Sequence, residues 1–259
     1  MNLGGKMNRD KLASELDAIL NVSQFKDYAP NGLQIQGVDE IKKVVTGVTA
    51  SQALIDEAIK VNADAIIVHH GYFWKGEAYP ITGMKYRRIS SLIKHDINLF
   101  GYHLPLDAHP ELGNNAGLAN ALGLCNRIGL QSGVELKNAI GLIGDLKSVM
   151  SVESFRCLVS VAVGRDVLFE KVNDRKISKV ALCTGGAQDY IEQAALMGAD
   201  VFITGEVSER TIHVAREMGI HFCAAGHHAT ERFGVIQLAD YLKAEFGLSV
   251  EFIDIDNPA

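Results

Sequence analysis

The sequence predicts an α/β fold made of two similar, interlinked α/β units with mostly parallel sheets. Three observations carry that expectation. From Lys43 onward, short apolar segments of strand length alternate with helical patterns. The alternation occurs twice, with its strands in matching order. The composition is that of a globular chain: 47% of the 259 residues are hydrophobic and 22% charged, which argues against disorder and coiled coil.

Taken in order, Asn8 has the chemistry of an N-cap, and Leu12, Leu16, Ile19 and Leu20 fall on one helical face. Tyr28-Ala29-Pro30-Asn31-Gly32 is turn chemistry. Lys43 to Val48 reads as a strand, Ser51 to Val61 as a helix and Ala65 to Val68 as a buried strand. Met84 to Lys94 follows as a helix and Ile97 to Gly101 as a strand, and Asn114 caps a helix carrying Ala116, Ala119 and Leu122. The plan then returns. Lys43 to Gly47 corresponds to Lys179 to Gly185, Ala63-Asp64 with its strand to Ala199-Asp200 with its strand, and Asn98 to Gly101 to His221 to Ala224. The expected division is a first unit over 1–125, a linking segment over 126–178 that includes a helix near Val152 to Val163, and a second unit over 179–259.

A net charge of −6 disfavours the broad positive field of a non-specific nucleic-acid or membrane binder. The four cysteines form no CxxC, which suits a reducing compartment and excludes a disulfide scaffold. Apolar runs such as Ala65 to Val68 are too short to span a bilayer. Met1 to Lys6 is polar and Gly-rich, a short leader before Met7 rather than a signal peptide. A soluble cytoplasmic protein is expected.

All nine histidines fall in two windows, His69 to His109 and His213 to His228. Several close a predicted strand at its carboxyl end, where open α/β sheets bind ligands. His69 and His70 end one strand; His103 and Asp107 follow the next; His227 and Glu231 follow the last strand of the second unit. His95, His213 and His221 lie in regular helical or strand patterns and read as surface or core residues. On a straight strand His69 and His70 would face opposite ways, so either the chain turns at Gly71 or two adjacent metals take one imidazole each. His227 and Glu231, four apart, share a face if a helix starts near Ala229, with Thr230 at its start. Together His69, His70, Asp107, His227 and Glu231 form a nitrogen and oxygen set without sulfur, suited to Zn, Fe, Mn, Co or Ni in an open site between the two units. Asp107 is the best candidate bridge between two metals, and a mononuclear site on a subset also fits. Two divalent ions outweigh two carboxylates, and the surplus charge favours an anionic group such as phosphate. Glu206 stands in the second repeat where His70 stands in the first.

Other segments carry two readings each. Thr184-Gly185-Gly186 is either a phosphate cradle or a tight turn. Tyr72, Phe73, Trp74 and Lys75 either stack on a base and hold a phosphate or form a subunit contact. Cys183 is either an activated thiol near a helix start or a packed core thiol. Neither GxxxxGK[ST] nor GxSxG occurs, so P-loop and hydrolase-elbow mechanisms are excluded.

Five long motifs resemble the NIF-three-like family, whose bacterial members are called GTP cyclohydrolase I type 2 homologues. They are Tyr28 to Gln34, Ile67 to Gly76, Gly101 to Asp107, Ile203 to Glu206 and Ala225 to Glu231. The likeness runs nearly end to end and is to the short bacterial form. It implies a dinuclear metal site of His69, His70, Asp107, His227 and Glu231, two linked α/β units and a toroidal homohexamer. The expected function is a metal-dependent hydrolase of a nucleotide-like or phosphate-bearing substrate, with His103 or Glu206 as proton shuttle. The competing function is a non-enzymatic metal-containing ring, a scaffold or regulator linked to DNA maintenance. A redox enzyme using iron at the same site also matches the ligand set.

Overall fold

The computed structural model of the protein describes residues 5–131 and 133–259. The chain folds into two compact units, one comprising residues up to Leu106 with Gly234–Asp256, the other Asp107–Phe233 with Asn257–Ala259. The first contains β1 (Met7–Asn8), α1 (Arg9–Ile19), β2 (Gly32–Ile35), β3 (Glu40–Ile41), β4 (Lys43–Thr49), α2 (Gln52–Lys60), β5 (Ala65–His70), α3 (Gly83–Lys94) and β6 (Asn98–Gly101). Helix α4 (Leu104–Ala108) leads on to α5 (Asn114–Ala121), β7 (Leu124–Gly129), β8 (Leu142–Met150), α6 (Val152–Val163), β9 (Leu168–Glu170) and β10 (Ile177–Leu182). Next come α7 (Ile191–Leu196), β11 (Val201–Thr204), α8 (Glu209–Met218), β12 (His221–Ala224) and the single helical turn α9 (His227–Thr230). Helix α10 (Arg232–Phe246) and β13 (Ser249–Phe252) return the chain to the first unit.

The first unit's main sheet has the order β13-β4-β5-β6-β2, with only β2 antiparallel. The second has the order β7-β8-β10-β11-β12-β9, with a parallel centre of β10, β11 and β12. Both are therefore α/β sheets, parallel through the middle; the first ends in an antiparallel strand at one edge, β2, and the second has antiparallel pairings on both sides, β8 with β7 on one and β9 on the other.

The repeat seen in the sequence has a physical cause. Asp64 accepts two backbone N–H bonds, from Lys42 and Lys43, both at 2.8 Å. Asp200 does the same for Ser178 and Lys179, both at 2.9 Å. Each aspartate thus fixes the start of the preceding parallel strand from the start of its own, which is why the Ala-Asp dipeptide occurs in both halves. A second pair matches. Asn98 and His221 are the buried first residues of β6 and β12, and their side chains bond the backbone of the segments beside them, Gly37–Val38 and Val172 with Arg175.

Helix starts follow their capping chemistry. Asn8 caps α1 through bonds from Asp10 and Lys11, and Ser51 caps α2 through Leu54. Asn114 differs from the sequence reading: Gly113 is the N-cap of α5, and Asn114 lies inside the helix with its side chain engaged elsewhere. Leu54, Ile55, Ile66, Leu92 and Leu99 pack in the core of the first unit. Phe155, Val159, Val180, Leu182 and Ile203 form one core of the second, while Phe202 and Phe222 anchor the cluster on the other face of its sheet. Each fully buried side chain of this size stabilises the fold by about 1.5–3 kcal/mol.

The stretch over 126–178 is not a separate link. It supplies β8 and β9, most of β7, and α6, because β10 and β12 need hydrogen-bonding neighbours on their outer sides. The observed division falls at Leu106/Asp107, and Gly234–Asp256 rejoins the first unit because β13 pairs with β4. Among the described residues no helix is long and apolar enough to cross a membrane.

Candidate metal centre

In the first unit the carboxyl ends of β5 and β6 carry three histidines. His69, His70 and His103 each bring one ring nitrogen within 4.8 Å of the others, the spacing of a candidate cation site. Strand β5 continues through both His69 and His70, yet the two ring centroids are only 4.6 Å apart. Gly71, expected to turn the chain, does a different task. It has no positive φ, and a Cβ there would collide with the Gln34 amide. That amide accepts from Tyr72 N at 2.7 Å and donates to Pro30 O at 2.8 Å, tying the Tyr28–Gln34 segment to the histidine loop.

Each ring is held by its Nδ1 atom. His69 Nδ1 donates to Tyr102 O at 2.9 Å, His103 Nδ1 to Asp27 at 2.7 Å, and His70 Nδ1 shares a 3.2 Å bond with the Thr49 hydroxyl. A neutral imidazole bonded this way keeps its lone pair on Nε2, the usual arrangement for a metal-binding histidine. Asp27 is buried, which raises its pKa, but bonds from His103, Asn31 and Leu104 outweigh this and lower it to about 2.

In the second unit the ligand candidates His227 and Glu231 follow β12, and Asp107 stands in α4. Gly226, at φ 96°, starts the turn α9 at His227, earlier than the start near Ala229 expected from the sequence. The four-residue spacing then brings His227 Nε2 to 3.1 Å from Glu231 Oε2. His227 Nδ1 in turn meets Glu206 Oε1 at 2.7 Å. Burial lowers the pKa of His227, but Glu231 and Glu206 together outweigh it and raise it to about 9. Asp107 and Glu231 are both buried, with carboxylate oxygens within 4.8 Å of each other. Asp107 Oδ1 accepts from Asn114 Nδ2 at 2.9 Å and the Thr184 hydroxyl at 3.3 Å. Asn115 donates to the Asp107 carbonyl and accepts from Thr184 N.

Several open readings close here. The Thr184-Gly185-Gly186 segment is a tight turn, not a phosphate cradle: Thr184 N and Gly185 N already bond Asn115 and Thr230. Glycine is needed at 185, where φ is 71° and a Cβ would strike Glu231 Oε1. Cys183 is a packed core thiol whose pKa rises well above its usual value through burial, reinforced by the charges of Asp107 and Glu231. Tyr72 is buried, with its hydroxyl on Ala50 O, so it cannot stack on a ligand. Trp74 stands beside the site instead, its ring 4.9 Å from that of His103. Glu206 is engaged by His227 rather than poised on its own as a shuttle. His221 is a core residue, and His95 and His213 are exposed, as their patterns indicated.

Sequence reasoning missed Asp27, Thr49 and Asn115, and misread Asn114. The adjacent Asn114-Asn115 at the head of a helix of mostly small and apolar residues was the available signal. Asp27 and Thr49 had none, since each matters only through a partner at least 21 positions away.

The model of the Duf34/NIF3 (NGG1p interacting factor 3) family matches residues 7–258. A Haemophilus influenzae protein named GTP cyclohydrolase 1 type 2 homolog is 53% identical over 254 residues, covering 98% of this chain and all of that one. The solved structure of the protein ybgI, described as of unknown function, superposes with a TM-score of 0.93 at 49% identity, over 98% of this chain and 100% of the other. A Thermus thermophilus structure gives 0.89 at 35% identity, with the same coverage. The chain therefore belongs to the Duf34/NIF3 family.

Proposed function

We propose that the protein is a metal-dependent hydrolase in which His69, His70, Asp107, His227 and Glu231 hold two divalent ions, drawn from Zn, Fe, Mn, Co or Ni. The observation that carries this reading is the shared anchoring of His69, His103 and His227. Each donates from Nδ1 to a protein acceptor, which leaves Nε2 as the atom for a ligand; on His227 that atom faces Glu231 Oε2 and would give up its proton when a cation binds. The donor set fits: imidazole nitrogens and two buried carboxylates, with the nearby thiol of Cys183 kept protonated by burial. Buried carboxylates in close proximity repel, and a cation between them relieves that repulsion.

When bound, such ions polarise a phosphoryl or carbonyl oxygen and make water acidic enough to attack near neutral pH. The remaining work belongs to the chain. His103, with Nδ1 fixed, takes the proton at Nε2 and returns it to the leaving group. Glu206 keeps His227 in place, and Asn114 and Thr184 keep Asp107 in place. Trp74 and the exposed Tyr28, whose rings both lie edge-on to His103, give a planar substrate an aromatic wall. The relatives' name, GTP cyclohydrolase 1 type 2 homolog, supports a nucleotide-like substrate. We further propose that copies of the chain assemble as a homohexamer through exposed apolar side chains such as Tyr79, Ile81, Met84, Tyr86 and Ile93.

The test is a panel of nucleotides and phosphate esters assayed with metal-loaded protein. Hydrolysis of at least one member, abolished in Asp107→Ala, is expected. Equal turnover in that variant, or none by the loaded parent on any member, would overturn the reading, and light scattering of the same sample tests the assembly.

A further inference from the structure

We propose that Asp27 is a positioning residue that sets the tautomer of His103, keeping its proton on Nδ1 and presenting Nε2 as the proton-accepting atom. Asp27 lies in the loop before β2, far in sequence from any expected site residue. Its carboxylate collects four donors. Tyr28 N at 2.6 Å and His103 Nδ1 at 2.7 Å reach Oδ1; Asn31 Nδ2 and Leu104 N, both at 2.9 Å, reach Oδ2. Asn31 completes the clamp by accepting His103 N at 2.7 Å through its own Oδ1. The histidine is thus gripped at backbone and ring by two side chains of one short loop. Because an ionised carboxylate only accepts, the ring must donate from Nδ1. Tautomer and orientation are fixed together, and the side chain is only 4% exposed on the Asp27 side.

The same geometry dictates what an amide does there. In Asp27→Asn the amide nitrogen must occupy one of the two oxygen positions. Placed at Oδ2 it faces two donors, Asn31 Nδ2 and Leu104 N, and Asn31 cannot flip because its Oδ1 serves His103 N. Placed at Oδ1 it opposes only Tyr28 N and can donate to His103 Nδ1. The second orientation loses fewer bonds, so the ring exchanges its proton to Nε2 and loses its accepting atom toward the site. A merely structural aspartate would leave the tautomer unchanged.

The inference rests on the reading of His103 as proton carrier, but its direct test needs no turnover. Long-range proton–nitrogen correlation spectra of the full chain, metal-free and zinc-loaded, report which nitrogen of each ring is protonated. The His103 signals are assigned by their loss in His103→Gln. Expected is a protonated Nδ1 in the parent and a protonated Nε2 in Asp27→Asn, with zinc content unchanged in the variant. A parent with Nε2 protonated, or a variant with the parent's pattern, overturns the proposal. Should Asp27→Asn fail to fold, the parent spectrum decides alone. If zinc content falls to background in the parent, it is the metal reading that fails, and the tautomer result stands apart from it.

Discussion

Glu206 Oε1 accepts the Nδ1 proton of His227 at 2.7 Å, while Nε2 of the same ring lies 3.1 Å from Glu231 Oε2. One imidazole therefore joins an outer carboxylate that orients it to an inner one that shares its proposed ligand role. Replacing Glu206 by Gln keeps the shape and removes the charge. A 10–100-fold loss of metal affinity is expected, the usual effect of losing such an orienting group, with a smaller fall in melting temperature without metal near neutral pH, because Glu206 helps raise the His227 pKa. Competition with a fluorescent chelator measures the first and calorimetry the second.

Without metal, the same cluster makes stability depend on pH in a defined direction. The pKa of His227 rises from 6.5 to about 9 in the folded chain, because Glu231 and Glu206 outweigh the opposing effect of burial. A raised folded-state pKa stabilises fully below pH 6.5, and that contribution is lost as pH climbs through about 9. Urea midpoints of metal-stripped protein are expected to fall across this window, and less so in His227→Gln. A rise would contradict the assignment.

Gly185→Ala tests how tightly the second unit's ligands are packed. The added methyl meets Glu231 Oε1 at a position whose φ of 71° already resists a side chain. Metal binding is expected to drop by at least an order of magnitude. Destabilisation should be in the range of about 1–3 kcal/mol typical of a strained or overpacked site. Chemical denaturation beside metal analysis separates the two effects.

The paired aspartates give a prediction unrelated to chemistry. Asp64→Ala and Asp200→Ala each strip two backbone N–H groups of their acceptor. Each is expected to cost about 1–3 kcal/mol, the penalty for unsatisfied polar groups at a partly buried strand start. Similar values for the two, measured by urea titration, would bear out the repeat.

Much of this was legible in the sequence for a physical reason. Strands such as Lys43–Thr49 and helices such as Gln52–Lys60 bury one stripe or a continuous apolar run, and that pattern is local. Residues 69, 70, 107, 227 and 231 stood out as candidates because each lies at or follows a strand end in sequence. The edge strands β2, β7 and β9 were less readable, being half-exposed, with their pairing set by distant partners. Asp27 was invisible for the same reason: its partner is 76 residues away. Gly71 and Gly185 show the limit in another form: a close neighbour, Gln34 or Glu231, demands glycine at each, and only at Gly185 does the turn's positive φ demand it as well.

The most direct measurement is the metal content of the purified protein, by mass spectrometry of the elements, before and after dialysis against chelator. About two divalent ions per chain are expected, as for a two-metal hydrolytic site, falling to background in His227→Ala combined with Asp107→Ala. Resupplied metal at about 100 times its dissociation constant should stabilise the parent by about 2.7 kcal/mol for each site filled and leave the double variant unmoved. Equal trace metal in both proteins, with no shift in melting temperature on adding any of the five candidate ions, would contradict the account.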